Sequence, residues 1–287
     1  MIVLETADAV RAWSRECRGH GEVVAFVPTM GYLHKGHLSL VEEARRRGDK
    51  VIASVYVNPT QFAPGEDFDV YPRDTDGDLV KLRDAGCDAV FLPEDLYIRQ
   101  GGDAPPHETF VTVTELQQPL CGASRPTFFR GVATVVAKLF NIVEPDIAVF
   151  GMKDYQQWRL IRRMVRDLNF PIDVVGMPIV READGLAMSS RNARLTPDHR
   201  RNAPAIFRAL SEAAASVAAG ETDAAAIVAS VQKRIAGAGG RIDYVQLSDA
   251  LTLNPIDVID RLALLAVAAH FGEVRLIDNV ELVPPKS

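Results

Sequence analysis

The chain has 287 residues, 47% hydrophobic and 24% charged, which is enough for one large or two modest domains with a sizeable core. A net charge of −6 excludes bulk electrostatic attraction to nucleic acid, and three scattered cysteines without a Cys-x-x-Cys argue against a zinc site and fit a reducing cytoplasm. The N-terminus lacks the basic region of a signal peptide, and the longest apolar run, Leu262 to Ala269, is too short to span a bilayer, so the expectation is a cytoplasmic protein without a membrane partner.

Residues 8–19 predict a short helix, and Val23 to Val27 a buried strand. After Gly36, Leu38, Val41 and Ala44 recur among charged residues as one face of an amphipathic helix. Lys50 to Val57 predicts a second strand, followed by a long loop, Asn58 to Asp74, of a length more often functional than idle. A helix over 75–86 ends at Gly86, Asp88 to Leu92 is a strand, 101–106 a polar turn, and Thr109 to Val113 an alternating strand. An apolar helix over 131–143, a strand over Asp146 to Phe150, a helix over 155–168 and a strand over Ile172 to Val180 complete the pattern. Strands alternating with helices predict an α/β fold, a Rossmann-like, doubly wound, mainly parallel sheet with ligands at its carboxyl edge. Composition shifts near residue 184. The expectation is therefore a domain over 1–183 and a smaller C-terminal α+β domain over 184–287, with helices at 200–219 and 223–236 and strands at Arg241 to Leu247, Leu262 to Phe271 and Arg275 to Ile277.

The chemistry concentrates first in Val27-Pro-Thr-Met-Gly-Tyr-Leu-His-Lys-Gly-His37, a strand, a glycine-containing turn and a helix start. Free backbone N–H groups and the positive end of the helix dipole meet there, which suits phosphate. His34 and His37 stand three residues apart, able to donate ring N–H groups while Gly31 and Gly36 permit close backbone approach. A metal pair is the other reading of two such histidines, but no third ligand stands nearby. The chain contains neither G-x-G-x-x-G nor G-x-x-x-x-G-K-[ST].

His-x-Gly-His resembles the "HIGH" signature of class I adenylate-forming and nucleotidyl-transferring enzymes. Four further patches follow it: Val57-Asn-Pro-Thr-Gln-Phe62, Gly122-Ala-Ser-Arg-Pro126 with Phe129-Arg-Gly-Val132, Phe150-Gly-Met-Lys-Asp-Tyr-Gln-Gln157, and Pro178 to Asn192 with its Met188-Ser-Ser-Arg191 loop. With Pro28-Thr-Met-Gly31 they resemble, in order and spacing, the pantothenate synthetase (pantoate–β-alanine ligase) family from about residue 2 to 283. The resemblance implies a reaction in two steps. Pantoate attacks the α-phosphorus of ATP, with Mg²⁺ required as cofactor, to give pantoyl adenylate and pyrophosphate. β-Alanine then displaces AMP to give pantothenate.

The resemblance also carries roles residue by residue. His34 and His37 would donate to the ATP phosphates, with His37 as general acid. Lys153 and Arg191 would bring positive charge, and Ser189 and Ser190 would complete a donor-rich loop. Gly151 and Asp154 would line the ribose, and Met30, Val180 and Met188 the adenine, although core packing is an equal reading of the methionines. Gln61, Gln157 and Arg125 would face pantoate and β-alanine. Asp78 would serve Mg²⁺, or else stand as a first-turn acid favoured by the helix dipole. A homodimer is implied, as is a C-terminal domain acting as a lid. The chain departs from the family pattern at Thr60, Cys121, Phe128 and Met152, where Met, Glu, His and Glu are usual. Two rivals stay open at this point: a nucleotidyltransferase of the same superfamily, and a nucleotide binder without ligase activity.

Overall fold

Strands β1 (Ile2–Leu4), β2 (Val24–Thr29), β3 (Lys50–Val55), β4 (Ala89–Phe91), β5 (Ile147–Gly151) and β6 (Asp173–Met177) form a parallel sheet in the order β1-β4-β3-β2-β5-β6. The computed structural model describes residues 1–63, 65–97 and 107–284, so the turn expected at 101–106 lies outside the described residues. The chain divides into two compact units. One comprises Met1–Gln117, Arg125–Met152 and Gln157–Pro178, and holds this sheet. The other comprises Gln118–Ser124, Lys153–Gln156 and Ile179–Ser287.

In the first unit the chain moves outward from β2 to β3 and β4, then returns to the other side of β2 as β5 and β6. That reversal makes the carboxyl ends of β2 and β5 the switch point where an open α/β sheet binds ligands. Strand alternation sends Ala25 and Val27 into the core shared with Leu40, Val41 and Ala44 of α2 (Lys35–Arg47) and Leu82 of α3 (Thr75–Asp84). Phe26, between them in sequence, meets Phe140 of α5 (Phe128–Val143) edge to face, with ring centroids 6.5 Å apart, on the opposite side. α1 (Ala7–Gly19) packs beside α5, so helices cover both faces and the near-continuous apolar runs of the inner strands follow. The expected alternating strand at 109–113 does not form: Val111 N–H donates to Thr134 Oγ1 of α5 at 3.0 Å, and the segment joins no ladder. β1 went unread because three half-exposed residues carry no periodic signal. The strand expected to reach Val180 stops at Met177, ahead of Pro178, which has no N–H for the ladder.

The second unit is built on an antiparallel sheet, β7 (Arg241–Asp249), β8 (Ala263–Phe271) and β9 (Val274–Leu282), in that order. α8 (Ala205–Ala218) and α9 (Ala224–Gly237) bury Ile206, Leu210, Ile227, Val231 and Ile235 against Leu265, Val267, Ala269 and Phe271 on one face. The intervening residues Leu264, Ala266 and Ala268 are also buried, because residues 118–124, including α4 (Cys121–Ser124), and residues 153–156 belong to this unit and bond to the other face. The third strand runs well past Ile277, where the Asp278-Asn279 pair reads from sequence as the start of a turn. Both side chains find partners inside the unit, so the ladder continues to Leu282. Among the described residues no helix is long and apolar enough to cross a membrane.

One close approach in the first unit is testable. A Cβ on Gly131 of α5 would lie 2.6 Å from Thr60 C and 2.8 Å from Gln61 N, and closer still to Thr60 O, all of them backbone atoms that cannot swing aside. Gly131→Ala is expected to lower unfolding free energy by about 1–3 kcal/mol, read as a reduced urea midpoint, despite the better helix propensity of Ala.

Candidate active site

The turn from β2 into α2 is held from behind by Asp78 in the first turn of α3. Its Oδ2 accepts from Tyr32 N–H at 2.6 Å and its Oδ1 from Leu33 N–H at 2.7 Å, with Lys81 Nζ 3.6 Å from Oδ1. Gly31 has φ +84, and a Cβ there would meet Asp78 Oδ2 and Val55 Cγ1 at 2.9 Å, so this position requires glycine on both counts. Asp78 is 1% exposed and both its oxygens are engaged. It does not fit the Mg²⁺ role that the resemblance carried to it, since its charge already serves two amides and an ammonium group. Among the described residues no group of three or more His, Cys, Asp or Glu could hold a metal ion.

His34 is the N-cap of α2. Its Nδ1 accepts from Gly36 N–H at 3.1 Å, while His37 Nδ1 accepts from His34 N–H at 3.3 Å, a reciprocal cap made by two imidazoles. Each accepting Nδ1 must carry a lone pair, which places the proton of the neutral ring on Nε2 in both. The rings lie with centroids 4.1 Å apart and planes 35° from parallel. The histidines thus cap the helix, and the cap fixes which ring nitrogen of each can donate.

Around this turn, Gln61 Nε2 reaches Met30 Sδ at 2.8 Å and Gln61 Oε1 accepts from Asn58 Nδ2 at 3.1 Å, so the first unit brings together two of the expected contacts. Arg125 behaves differently from expectation. Its guanidinium donates to both Glu66 oxygens, with Nε at 2.7 Å from Oε1, and to Gln61 O at 3.1 Å, and it lies 4.0 Å over the ring of Phe128. Burial pushes the Glu66 carboxyl up, but these charged hydrogen bonds outweigh it and leave it below the usual range. The Arg125 charge is therefore met inside the protein, and Phe128, one of the departures, supplies its stacking face. Thr60 keeps its own bonds, to Asn58 Oδ1 at 2.9 Å and Tyr97 Oη at 3.0 Å. Gly151 ends β5, and a Cβ there would meet nothing within 4 Å. Its φ is not in the left-handed region, so the fold itself does not demand glycine. Gln157 is half-buried in α6 (Tyr155–Asp167).

In the second unit Lys153, 21% exposed, has Nζ 3.5 Å from Asp154 Oδ2, in a 3₁₀ turn, Met152–Asp154. Val180 and Met188 stand opposite each other in a small hairpin, Met188 N–H donating to Val180 O at 3.0 Å. Ser189 caps the 3₁₀ turn Ser190–Arg194 by accepting from Arg191 N–H at 3.3 Å, so this hydroxyl shapes the loop rather than only decorating it. Cys121, where the family pattern has Glu, lies 3.2 Å from Tyr244 Oη and accepts from Arg275 Nη2 at 3.4 Å. Arg275 turns most of its charge to Asp243, with Nη2 2.7 Å and Nε 3.0 Å from Oδ2. The cation that a carboxylate at 121 would meet is thus neutralised from β7 instead. Sequence reading missed Arg181, Asp278 and Asn279. The signal available was an acid and an amide in the middle of Leu276-Ile277-Asp278-Asn279-Val280, a stretch otherwise apolar.

A parallel sheet with a histidine-capped helix start at its switch point defines an α/β protein of the class that binds phosphate at a strand-to-helix turn. The comparisons narrow that class. Residues 2–281 match the model of the family described as pantoate-beta-alanine ligase. The pantoate–beta-alanine ligase of Oryza sativa subsp. japonica is 50% identical, over 98% of this chain and 96% of the rice protein. The crystal structure of pantothenate synthetase from Thermus thermophilus superposes with a TM-score of 0.91 at 45% identity, covering 99% of this chain and all of that one. The Francisella tularensis pantoate-beta-alanine ligase, solved with beta-gamma ATP and beta-alanine, gives 0.81 at 31% identity, covering 98% of this chain and 97% of its own. The chain belongs to the pantoate–β-alanine ligase family and is an enzyme of that ligase class.

Asp78→Ala would leave the Tyr32 and Leu33 amides without their acceptor in a buried turn. Its expected cost is roughly 2–4 kcal/mol in chemical denaturation, the range for orphaning two buried donors. A loss below about 0.5 kcal/mol, the scale of a neutral surface change, would show that Asp78 does not hold the turn.

Proposed function

We propose that this chain condenses pantoate with β-alanine at the expense of ATP, through pantoyl adenylate. The observation that carries the reading is the imidazole pair at the switch point, with both Nε2–H groups fixed as donors by the cap. In the first step a pantoate carboxylate oxygen bonds to the α-phosphorus as the bond to the bridging oxygen breaks and pyrophosphate leaves. His34 and His37 donate to the phosphate oxygens on which charge builds. This transfer needs no proton from the enzyme, so His37 acts as a charge-stabilising donor rather than one that must give up its proton. Lys153 and Arg191 add positive charge toward the phosphates, and Ser189 and Ser190 shape the loop that carries Arg191.

Gln61 and Gln157 hold pantoate through neutral amides, which bind a carboxylate without blunting its nucleophilicity by a tight ion pair. In the second step the β-alanine amine bonds to the acyl carbon, the bond to AMP breaks, and the ammonium proton passes to solvent. Gly151 and Asp154 serve the ribose, and Met30, Val180 and Met188 the adenine. Mg²⁺ would enter with ATP and offset the charge of the triphosphate. The family resemblance further supports a homodimer, which light scattering would read as twice the mass of the chain.

The test is AMP release from Mg·ATP with pantoate and β-alanine each present or omitted. AMP and pantothenate in equal amounts, only when both are present, is the expected result. A stable nucleotidylated product with no use for the amine would replace the ligase reading by a nucleotidyltransferase. His37→Ala should lower the adenylation rate by roughly 10²-fold or more, while costing about 1 kcal/mol of helix capping. Gly151→Ala meets no protein atom, so the melting temperature should hold while KM for ATP rises by roughly 5- to 150-fold, the equivalent of about 1–3 kcal/mol of overpacking in a filled site. An unchanged KM would remove Gly151 from the nucleotide site.

A further inference from the structure

We propose that Asp278 and Asn279, adjacent in the middle of β9, are positioning residues that set the Lys153 turn and the 180–188 hairpin from opposite faces of one strand. This inference rests on the reading that Lys153, Val180 and Met188 meet the nucleotide. Every residue involved belongs to the second compact unit.

Neighbours in a strand point to opposite faces. The register pairs Asp278 with Val267 and Asn279 with Ala266, so Asp278 faces the α8 and α9 side and Asn279 the other. On the first face Asp278 takes Arg181 in a two-pronged pair, Nη1 to Oδ2 at 2.6 Å and Nη2 to Oδ1 at 2.9 Å. Arg181 also donates to Gly185 O at 3.0 Å, and its guanidinium carbon lies 4.4 Å from the ring centroid of Phe207. A carboxylate, a carbonyl and an aromatic face thus fix one guanidinium. Arg181 pairs with Ala187 across the hairpin, directly next to Val180 and Met188. Fixing the Arg181–Ala187 pair therefore fixes which way its neighbours Val180 and Met188 point.

On the other face Asn279 Nδ2 donates to Lys153 O at 3.0 Å. Two residues along the same face, Glu281 accepts from Tyr155 Oη at 2.8 Å, and the same hydroxyl lies 3.3 Å from Ala250 O. The residues on both sides of Asp154 are thus tied to the sheet, Lys153 by its carbonyl and Tyr155 by its side-chain hydroxyl. Asp278 is 3% and Asn279 7% exposed, in a strand whose neighbours are Leu276, Ile277 and Val280. A buried charge is seldom the most stabilising choice at such a site, and apolar replacement of a whole buried pair is often neutral or better. What the polar pair provides is direction: a guanidinium and a carbonyl held at set angles, which apolar packing does not reproduce.

The experiment uses the full chain and compares Asn279→Leu, Asn279→Asp and the double variant Asp278→Leu/Arg181→Met with the parent, reading melting temperature, kcat, and KM for ATP and for β-alanine. The expected result is a rise of about 10- to 100-fold in KM for ATP or fall in kcat, the scale of a displacement near 1 Å, with KM for β-alanine nearly unchanged. The double variant should regain the parent's melting temperature without regaining its ATP kinetics. If the double variant, or Asn279→Leu, has both the stability and the ATP kinetics of the parent, the pair is structural only and the proposal is overturned. Lys153→Ala separates the two levels of inference. A defective Lys153→Ala beside a normal Asn279→Leu defeats the positioning role alone, whereas a normal Lys153→Ala defeats the reading on which it rests.

Discussion

The first amides of α2 have no carbonyl one turn earlier to bond, and the arrangement of the first unit depends on how they and the turn before them are satisfied. Two imidazoles accept from the Gly36 and His34 amides, and one buried carboxylate accepts from the Tyr32 and Leu33 amides. The same bonds that stabilise the helix start decide the chemistry available there, because an Nδ1 that accepts leaves the proton on Nε2. A serine or aspartate cap would stabilise the helix as well but would present no ring donor. The site is therefore a by-product of helix capping carried out with unusual residues.

The sheet positions that cap where an α/β fold offers space. β2 and β5 are the strands on either side of the reversal in strand order, and their carboxyl ends lead to Met30 and to Gly151. Behind them Gly131 lets α5 approach the backbone of Thr60 and Gln61 so closely that no side chain fits between. The second unit solves a different problem. Its central strand is buried on both faces, one by helices and the other by two short segments taken from far earlier in the chain. Cys121 Sγ, Lys153 O and Tyr155 Oη of those segments bond to that face, so the strands there carry Tyr244, Arg275, Asn279 and Glu281 where an ordinary core would carry apolar residues.

Residues with strong local signals were legible in advance. The buried runs of β2, β3 and β5, the amphipathic faces of α2 and α9, and the five family motifs all follow from neighbours in sequence. The failures share a cause. The segment at 109–113 alternates like a strand, yet its amide at Val111 goes to a threonine of α5. β9 contains Asp-Asn and reads as finished, yet those side chains are satisfied by Arg181 and Lys153, far from them in sequence. Arg125 and Asp78 look free to meet ligands until Glu66, Phe128 and the Tyr32–Leu33 turn are seen to engage them.

Sequence alone thus determined the fold class, the family and the placing of two histidines at a strand-to-helix turn, because these depend on periodicity and on short contiguous motifs. Tertiary structure alone decided which nitrogen of each histidine donates, which charges are already neutralised, and which distant residues hold the motifs in place. The histidine donors follow from bonds only two and three residues long that form once the turn is folded. The neutralised charges and the supports of the motifs depend instead on distant partners, such as Asp78 for Tyr32 and Asn279 for Lys153. Local propensity contains no record of a hydrogen bond that only the folded chain can close.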